Sequence, residues 1–140
     1  MKYLLDTSAI SELVRLKPEA KVVRWIDERE EGSLFLSVVI FGELHKGIAL
    51  LPDGPRKNKL RNWVDEDLML RFDGRILEVD LETACEWGRL QAQASVRGEP
   101  LPVVDSLIAA TAVVHHLTVV TRNIKDFARC GVSVHDPWAV

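Results

Sequence analysis

Polar side chains that can bind a metal ion recur next to the ends of predicted strands. The set comprises Asp6, Glu43, Asp105, Asn123 and Asp126. Asp6 directly follows the apolar residues 3–5, and Glu43 lies about two turns into the helix predicted after residues 34–36. Ligands of open parallel sheets bind outside the carboxyl ends of the strands. We therefore expect these side chains to meet at one edge of a sheet.

Each of these residues also has a purely structural interpretation. Asp6 and Asn123 are typical helix N-caps, and Asp126 occupies the reciprocal position of a capping box. The helix dipole favours Asp105 in a first turn, and Glu43 could be a solvated helix carboxylate. Glu43 and Asp105 have apolar neighbours, however. Because a buried ionised carboxylate is costly unless it is paired or binds a metal, their surroundings favour a function.

Convergence of three or four of these acids would carry a large electrostatic cost. Two like charges about 4 Å apart repel by about 4 kcal/mol at an effective dielectric constant near 20. A hard cation removes that cost, and Mg²⁺ suits a few carboxylates together with water molecules. Such an ion can activate a water molecule and orient a scissile phosphate for in-line displacement. The acids therefore predict a divalent metal site for phosphodiester chemistry.

The elements that must position these acids alternate along the chain. Apolar runs predict strands over residues 2–5, 34–36, 76–79, 117–120 and 132–134. Amphipathic stretches predict helices over residues 19–30, 38–50 and 56–71, from 80 to about 97, and from 102 to 115 or 116, with short helices after residues 6–8 and 121–123. This alternation predicts a single α/β domain over residues 1–140, with a mostly parallel sheet and helices on both faces.

The composition is that of a globular protein and excludes several classes. Of 140 residues, 47% are hydrophobic and 28% are charged. Cys85 and Cys130 are too far apart for a CxxC pair, which argues against a zinc module or disulfide scaffold. We find neither a signal peptide nor an apolar run long enough to span a membrane, so we expect a cytoplasmic protein. With a net charge of −3, any nucleic acid must be held by local basic patches, metal ions or both.

Four short motifs, spread in order over nearly the whole chain, are more specific together than any one alone. They are Leu4-Leu5-Asp6-Thr7-Ser8, Leu36-Ser37 with Phe41-Gly42-Glu43-Leu44, Asp105-Ser106-Leu107-Ile108-Ala109-Ala110-Thr111-Ala112, and Thr121-Arg122-Asn123 with Asp126-Phe127. In order and spacing they resemble PIN-domain nucleases, more narrowly VapC-type toxins of bacterial and archaeal toxin–antitoxin pairs. The closing Pro137-Trp138 is similar to a subgroup of these toxins that includes the gonococcal trafficking repressor.

The resemblance implies a three-layer α/β/α sandwich and an RNA endonuclease supported by Mg²⁺ or Mn²⁺. The catalytic residues it implies are Asp6, Ser8, Glu43, Asp105, Asn123 and Asp126. The implied metal ligands are Asp6, Glu43, Asp105 and Asp126. Ser8 would orient the first acid or a metal-bound water. Some relatives have Asp where this chain has Asn123, and many have Asn followed three residues later by an acid. Both Asn123 and Asp126 are therefore carried over, and the number of metal ions stays open.

The resemblance also implies partners. They are a second copy of this chain in a homodimer, a cognate antitoxin and an RNA substrate. The antitoxin of this family obstructs the active site, often with a basic side chain. A tRNA is the family-based expectation for the substrate. One alternative is a PIN-like module that binds RNA or a protein without cutting it. A phosphoaspartyl phosphatase of the Asp-x-Asp type is disfavoured because Thr7 and Ser8 follow Asp6.

Basic and aromatic residues outside the acidic set leave two interpretations open. The basic stretch over residues 56–61 is either a solvated helix face or a contact for the RNA backbone. Arg122 and Lys46 stand near the proposed ligands, where they either contact phosphate or pair with the acids. His45 points to another helical face than Glu43. Tryptophans 25, 63, 87 and 138 occupy mainly amphipathic contexts, which favour packing over base stacking.

Overall fold

A five-stranded parallel sheet forms the centre of the computed structural model, which describes residues 1–139. The strands are β1 (Tyr3–Leu5), β2 (Leu34–Ser37), β3 (Ile76–Leu77), β4 (Thr118–Val120) and β5 (Val134–His135). Their order is β3-β2-β1-β4-β5, and each neighbouring pair is parallel. In the register of the central strands, Leu4 lies opposite Phe35 on one side and Val119 on the other. The prediction of a mostly parallel sheet is confirmed.

Helices connect successive strands and cover the sheet. They are α1 (Thr7–Ile10), α2 (Ala20–Asp27), α3 (Val38–Ala49), α4 (Pro55–Asn62), α5 (Met69–Arg71), α6 (Leu81–Val96), α7 (Val103–His115) and α8 (Ile124–Ala128). Short 3-10 turns occupy Ser11–Val14 and Glu31–Ser33, and a π-helical segment, Trp63–Leu68, joins α4 to α5. The predicted α/β/α architecture is confirmed. Among residues 1–139, no helix has the length and apolar character needed to cross a bilayer.

Local sequence explains why the central elements begin where they do. Leu4, Leu36 and Val119 are fully buried in the central strands, as expected for strands that are covered on both faces. The side chain of Ser37 accepts a hydrogen bond from the backbone N–H of Val39 at 3.1 Å and so caps α3. The Asp80 carboxylate caps α6 in the same way. The sequence therefore predicts the starts of α3 and α6 correctly.

The main differences from the sequence-based expectations lie at the edges of the sheet and in two helices. Helix α2 ends at Asp27, three residues before the predicted limit, and a separate 3-10 turn follows. Strand β3 ends two residues before the predicted limit, and β5 begins two residues later than predicted. Both strands are edge strands with one neighbour each, so local sequence constrains their limits weakly. The helix predicted over residues 56–71 contains the π-helical segment, in which Val64 and Leu68 are buried. The apolar pattern shows that these residues face the core but not that the turn is wider.

A buried polar network holds α7 against α6 next to Asp105. The Ser106 hydroxyl is fully buried and accepts hydrogen bonds from Trp87 Nε1 at 3.0 Å and Gln91 Nε2 at 2.7 Å. It lies 2.8 Å from the carbonyl oxygen of Pro102, to which it can donate. One hydroxyl thus satisfies two side chains of α6 and the first turn of α7. This contact fixes the helical turn that carries the predicted active-site acid.

Replacing Ser106 with alanine should lower the free energy of unfolding by about 2 kcal/mol or more, because two donors on α6 lose their buried acceptor. Chemical denaturation followed by circular dichroism measures the change. The matched control is Thr111→Val, which removes another buried hydroxyl of α7 that donates only to the Leu107 carbonyl. This control should cost less than about 1 kcal/mol. Equal losses in both variants would contradict a special role for the Ser106 network.

Candidate active site

Four carboxylates from distant parts of the chain lie near one another at the carboxyl edge of the sheet. Asp6 follows β1 and continues its pairing with β4, because its backbone N–H donates to the Val120 carbonyl at 2.9 Å. Glu43 comes from α3, Asp105 from the first turn of α7 and Asp126 from α8. Their mutual proximity shows in the pKa of Asp105, which rises through burial and through the charges of the other three acids. The structure thus brings together the acids that the sequence singles out.

Asp6 is the most deeply buried member of the cluster, with 6% of its surface exposed. Its Oδ2 atom accepts hydrogen bonds from Thr121 Oγ1 at 2.8 Å and from Ser8 Oγ at 3.3 Å. Burial raises the pKa of Asp6 above its ordinary value, although these hydroxyls and the backbone N–H of Thr7 oppose the shift. Ser8 therefore lies where it was predicted to act, beside the first acid.

A neighbouring hydroxyl holds Glu43. Thr7 Oγ1 donates to Glu43 Oε1 at 2.7 Å, which links the first turn of α1 to the middle of α3. Glu43 also lines a small cavity of about 220 Å³ between α3 and the chain around Val14. Its side chain is half-buried, so one carboxylate oxygen is fixed by the protein while the group remains next to open space.

Asn123 bridges the remaining two carboxylates. Its Nδ2 atom donates to Asp105 Oδ2 and to Asp126 Oδ2, both at 2.9 Å. Asp126 Oδ1 also accepts a hydrogen bond from Arg129 at 2.6 Å. The hydrogen bond from Asn123, with that from Arg129, lowers the pKa of Asp126 although partial burial opposes this. One amide group therefore relieves the repulsion between two acids, and Arg129 balances the charge of one of them.

Asp105 carries the least compensated charge of the cluster. Burial contributes most to raising its pKa, and the charges of Asp6, Glu43 and Asp126 raise it further. The hydrogen bond from Asn123 opposes these effects, and the resulting pKa is about 6. Near neutral pH the folded protein therefore keeps a negative charge there against the repulsion of its neighbours.

The structural interpretation of Asp6 and Asn123 as simple N-caps is wrong. Both occupy N-cap positions, of α1 and α8 respectively, yet neither side chain makes a capping hydrogen bond. By contrast, Ser37 and Asp80 cap their helices with their side chains. The polar atoms of Asp6 and Asn123 instead contact other members of the cluster. Their side chains thus make hydrogen bonds around the carboxylates rather than to the starts of their own helices, and their role in catalysis stays a prediction.

Comparison with known proteins places the chain in a family. A model of the PIN domain matches residues 3–132. The chain belongs to the PIN-domain family. Over 135 residues it is 38% identical to the toxin FitB of Neisseria gonorrhoeae, with 96% of this chain and 97% of the relative covered. It is 36% identical, again over 135 residues, to a VapC ribonuclease of Sinorhizobium fredii, with 96% of each chain covered.

Solved structures agree with this assignment. The crystal structure of FitAcB from Neisseria gonorrhoeae superposes with a TM-score of 0.93 at 37% sequence identity, over 99% of both chains. The resemblance to VapC-type toxins, and to the gonococcal subgroup among them, is confirmed. This PIN domain therefore shares its fold and more than a third of its sequence with a protein of that group.

The donor atoms of this PIN domain fit a hard cation by their chemistry. Asp6, Glu43 and Asp105 offer carboxylate oxygens, which Mg²⁺ and Mn²⁺ prefer. Within residues 1–139, no three His, Cys, Asp or Glu side chains are arranged so that they could share a metal ion. Hydroxyl and amide groups hold the carboxylates instead. The fit therefore rests on donor type and uncompensated charge.

Other residues that the sequence singles out lie around the cluster without joining it. His45 Nε2 lies 2.9 Å from Asp65 Oδ1 and so ties α3 to the π-helical segment, in agreement with its expected orientation away from Glu43. The four tryptophans pack against the hydrophobic core, as predicted. Arg122 is exposed beside Ser8, and its backbone N–H donates to the Ser8 hydroxyl at 3.3 Å.

The sequence reasoning missed three residues that position the site. Thr7 and Thr121 donate to Glu43 and Asp6, and Arg129 pairs with Asp126. Thr121 directly follows the end of β4, and Thr7 directly follows Asp6. A hydroxyl residue in either place was the signal that could have identified them. The sequence does not mark Arg129 in a comparable way. Its pair with Asp126, three residues earlier, is one of many pairs of opposite charge that the sequence allows.

Asp105→Asn should stabilise the metal-free protein by about 1–2 kcal/mol at pH 7.5, after allowance for solvent screening. The substitution removes a charge that its neighbours repel and keeps an oxygen that can accept from Asn123. Because the pKa of Asp105 is higher in the folded state, at about 6, than its ordinary value near 4, folding takes up a proton between those values. Wild-type stability therefore falls as pH rises through this window.

Denaturation of both proteins in EDTA from pH 3.5 to 8 measures this effect. The difference should be largest above pH 6 and should vanish below about pH 4. Asp53→Asn is the matched control, since the side chain of Asp53 is fully exposed. A pH-independent difference between wild type and Asp105→Asn would contradict the electrostatic explanation.

Proposed function

We propose that this PIN domain is a metal-dependent RNA endonuclease that hydrolyses phosphodiester bonds and acts as the toxin of a toxin–antitoxin pair. The observation that carries the proposal is the convergence of Asp6, Glu43 and Asp105 around shared, poorly compensated negative charge. Such a cluster costs stability, so a folded protein keeps it for a function. The names of the similar proteins, a toxin and a ribonuclease, support the same activity.

The proposed metal ligands are Asp6, Glu43 and Asp105, with Asp126 as a fourth. When bound there, Mg²⁺ or Mn²⁺ would polarise the phosphate and lower the pKa of a bound water. The protein itself would contribute orientation. Thr121 and Ser8 fix one oxygen of Asp6, and the amide of Asn123 fixes one oxygen of Asp105. Each carboxylate keeps a second oxygen free of these particular contacts, which is what a shared cation needs.

The proposed partners are a cognate antitoxin, a second copy of this chain and an RNA. A groove of about 730 Å³ runs between the 3-10 turn at Ser11–Val14 and helix α4. It adjoins the smaller cavity that Glu43 lines, because residues such as Val14 and Trp63 line both. An antitoxin segment lying in this groove would reach the carboxylates with a basic side chain. The proposed site of action is the cytoplasm, where RNA is present.

Asp6→Ala and Asp105→Ala should each reduce RNA cleavage by about 100-fold or more, because each removes a proposed metal ligand. Purified protein, freed of any antitoxin, is incubated with cellular RNA and Mg²⁺ or Mn²⁺, and the ends of the products are mapped by sequencing. The ends should carry a 5′-phosphate and a 3′-hydroxyl. The mapped sites also identify the RNA, with tRNA as the first candidate.

Circular dichroism spectra that match the wild type establish that these variants are folded. Asp53→Ala, which changes a fully exposed turn residue, should cut as the wild type does. Wild-type protein that never cuts cellular RNA with either metal would falsify the proposal. That result, combined with retained RNA binding, would favour the alternative of a PIN-like module that binds without cutting.

Mg²⁺ should stabilise the wild-type protein, since binding to the folded state alone adds about 2.7 kcal/mol when the free ion is at 100 times its Kd. Thermal unfolding is recorded in EDTA and in increasing MgCl₂, with NaCl used to match the ionic strength. Asp105→Asn should lose most of the increase in Tm, whereas Asp53→Asn should retain it. The same increase in all three proteins would show that the ion acts elsewhere on the surface.

A further inference from the structure

Arg122 is held in place by an aromatic ring at the rim of the carboxylate cluster. Its guanidinium lies over the ring of Trp138, with 5.0 Å between the guanidinium carbon and the ring centroid. Its backbone N–H donates to Ser8, whose hydroxyl in turn lies 3.3 Å from Asp6 Oδ2. The residue is exposed. Its backbone therefore lies beside the cluster, while its guanidinium rests on an aromatic surface. Its charge, after the Glu19 N–H and Arg15, also helps to lower the pKa of the buried Glu12.

Arg122 differs in its pairing from other arginines around the site. Arg15 is paired with Glu12 at 2.7 Å and Arg129 with Asp126 at 2.6 Å. Within residues 1–139, Arg122 forms no ion pair with a carboxylate. The face of an aromatic ring attracts a cation without using its N–H donors. The N–H groups of the Arg122 guanidinium can therefore still donate hydrogen bonds to an anion.

Trp138 is a fixed platform for this arginine. It packs partly buried against the hydrophobic core, after the buried Pro137. Its backbone N–H donates to Asp136 Oδ1 at 2.9 Å, which holds the closing turn of the chain. A long arginine side chain loses conformational entropy when it binds a ligand, and stacking beforehand reduces that loss. Trp138 is linked to the site through Arg122, whose guanidinium lies over its ring.

We propose that Arg122 binds a phosphate of the RNA backbone next to the scissile one, and that Trp138 is the positioning residue that keeps the guanidinium from turning onto the acids. This inference rests on the proposed function, because its ligand is the RNA substrate. The guanidinium fork matches two phosphate oxygens. An acidic protein with a strongly negative site needs such a local cation, since the carboxylates themselves repel the backbone.

The experiment compares Arg122→Gln with Arg122→Lys and with a matched control, Arg29→Gln. Arg29 also stacks on a tryptophan, with its guanidinium carbon 4.7 Å from the centroid of Trp25. It lies near Tyr3 at the opposite edge of the sheet from Asp6. The two glutamine variants therefore remove the same charge and the same kind of stacking, one beside the cluster and one far from it.

Binding of fluorescently labelled bulk tRNA is measured in EDTA at several salt concentrations, so that cleavage does not interfere. Arg122→Gln should weaken binding about fivefold at 0.1 M salt and reduce the slope of log K against log salt by about 0.7–0.9, the loss of one phosphate contact. Arg122→Lys should keep the slope but bind more weakly than the wild type, because it lacks the planar fork. Arg29→Gln should bind as the wild type does.

Cleavage kinetics and the tryptophan test the positioning role. Arg122→Gln should raise KM with little change in kcat, because a non-scissile phosphate is held equally in the ground and transition states. Trp138→Leu should have the same effect on KM, while Trp138→Phe, which keeps an aromatic face, should restore most of the loss. If Trp138→Leu has the KM of the wild type and a native circular dichroism spectrum, the proposed role of the tryptophan is overturned.

Equal slopes for wild type, Arg122→Gln and Arg29→Gln would overturn the phosphate contact, as would equal losses in the two glutamine variants. Unchanged RNA binding with a weaker complex with the antitoxin would assign Arg122 to the protein partner and also overturn it. If the wild type binds tRNA with the expected Arg122-dependent slope but cuts no RNA, the proposed function fails while the phosphate contact stands.

Discussion

Repulsion between like charges around Asp105 is the constraint on which the site depends. Burial and three neighbouring carboxylates raise the pKa of Asp105 to about 6. The acids lie at the edge of the sheet and are not members of the hydrophobic core. The protein tolerates their repulsion by giving each carboxylate a neutral donor. Thr121 serves Asp6, Thr7 serves Glu43 and Asn123 serves two acids at once.

The parallel sheet is what makes the cluster possible. All five strands end at the same edge, so residues that follow β1 and β4 become neighbours although they are far apart in sequence. Helices α3 and α7 then project Glu43 and Asp105 toward this edge. The starts of these helices are fixed by different means, a side-chain cap at Ser37 and the buried hydroxyl network of Ser106. Rigid helix starts allow side chains that repel one another to stay close together.

The sequence predicts those features of the protein that depend on local patterns. Strands β1, β2 and β4, the caps at Ser37 and Asp80 and the meeting of the acids follow from apolar runs, capping residues and the topology of parallel sheets. Features that depend on tertiary contacts do not follow. The donors to Asp6 and Glu43, the π-helical segment and the limits of the edge strands are set by neighbours that the local pattern does not reveal. Roles in binding metal and RNA stay predictions, because they concern ligands.

Asn123 and Asp126 have different roles beside Asp105. A carboxylate at residue 123 would add charge beside Asp105, where repulsion is already strong. The amide supplies instead two N–H groups, one to Asp105 and one to Asp126. The acid three residues later is then balanced by Arg129, so its charge weighs less on the cluster. Among residues 1–139, Asp6, Glu43 and Asp105 form no ion pair with a basic side chain, unlike Asp126. If the proposed cation binds at this site, Arg129 would compete with it for Asp126, and Asp6, Glu43 and Asp105 would be its main ligands.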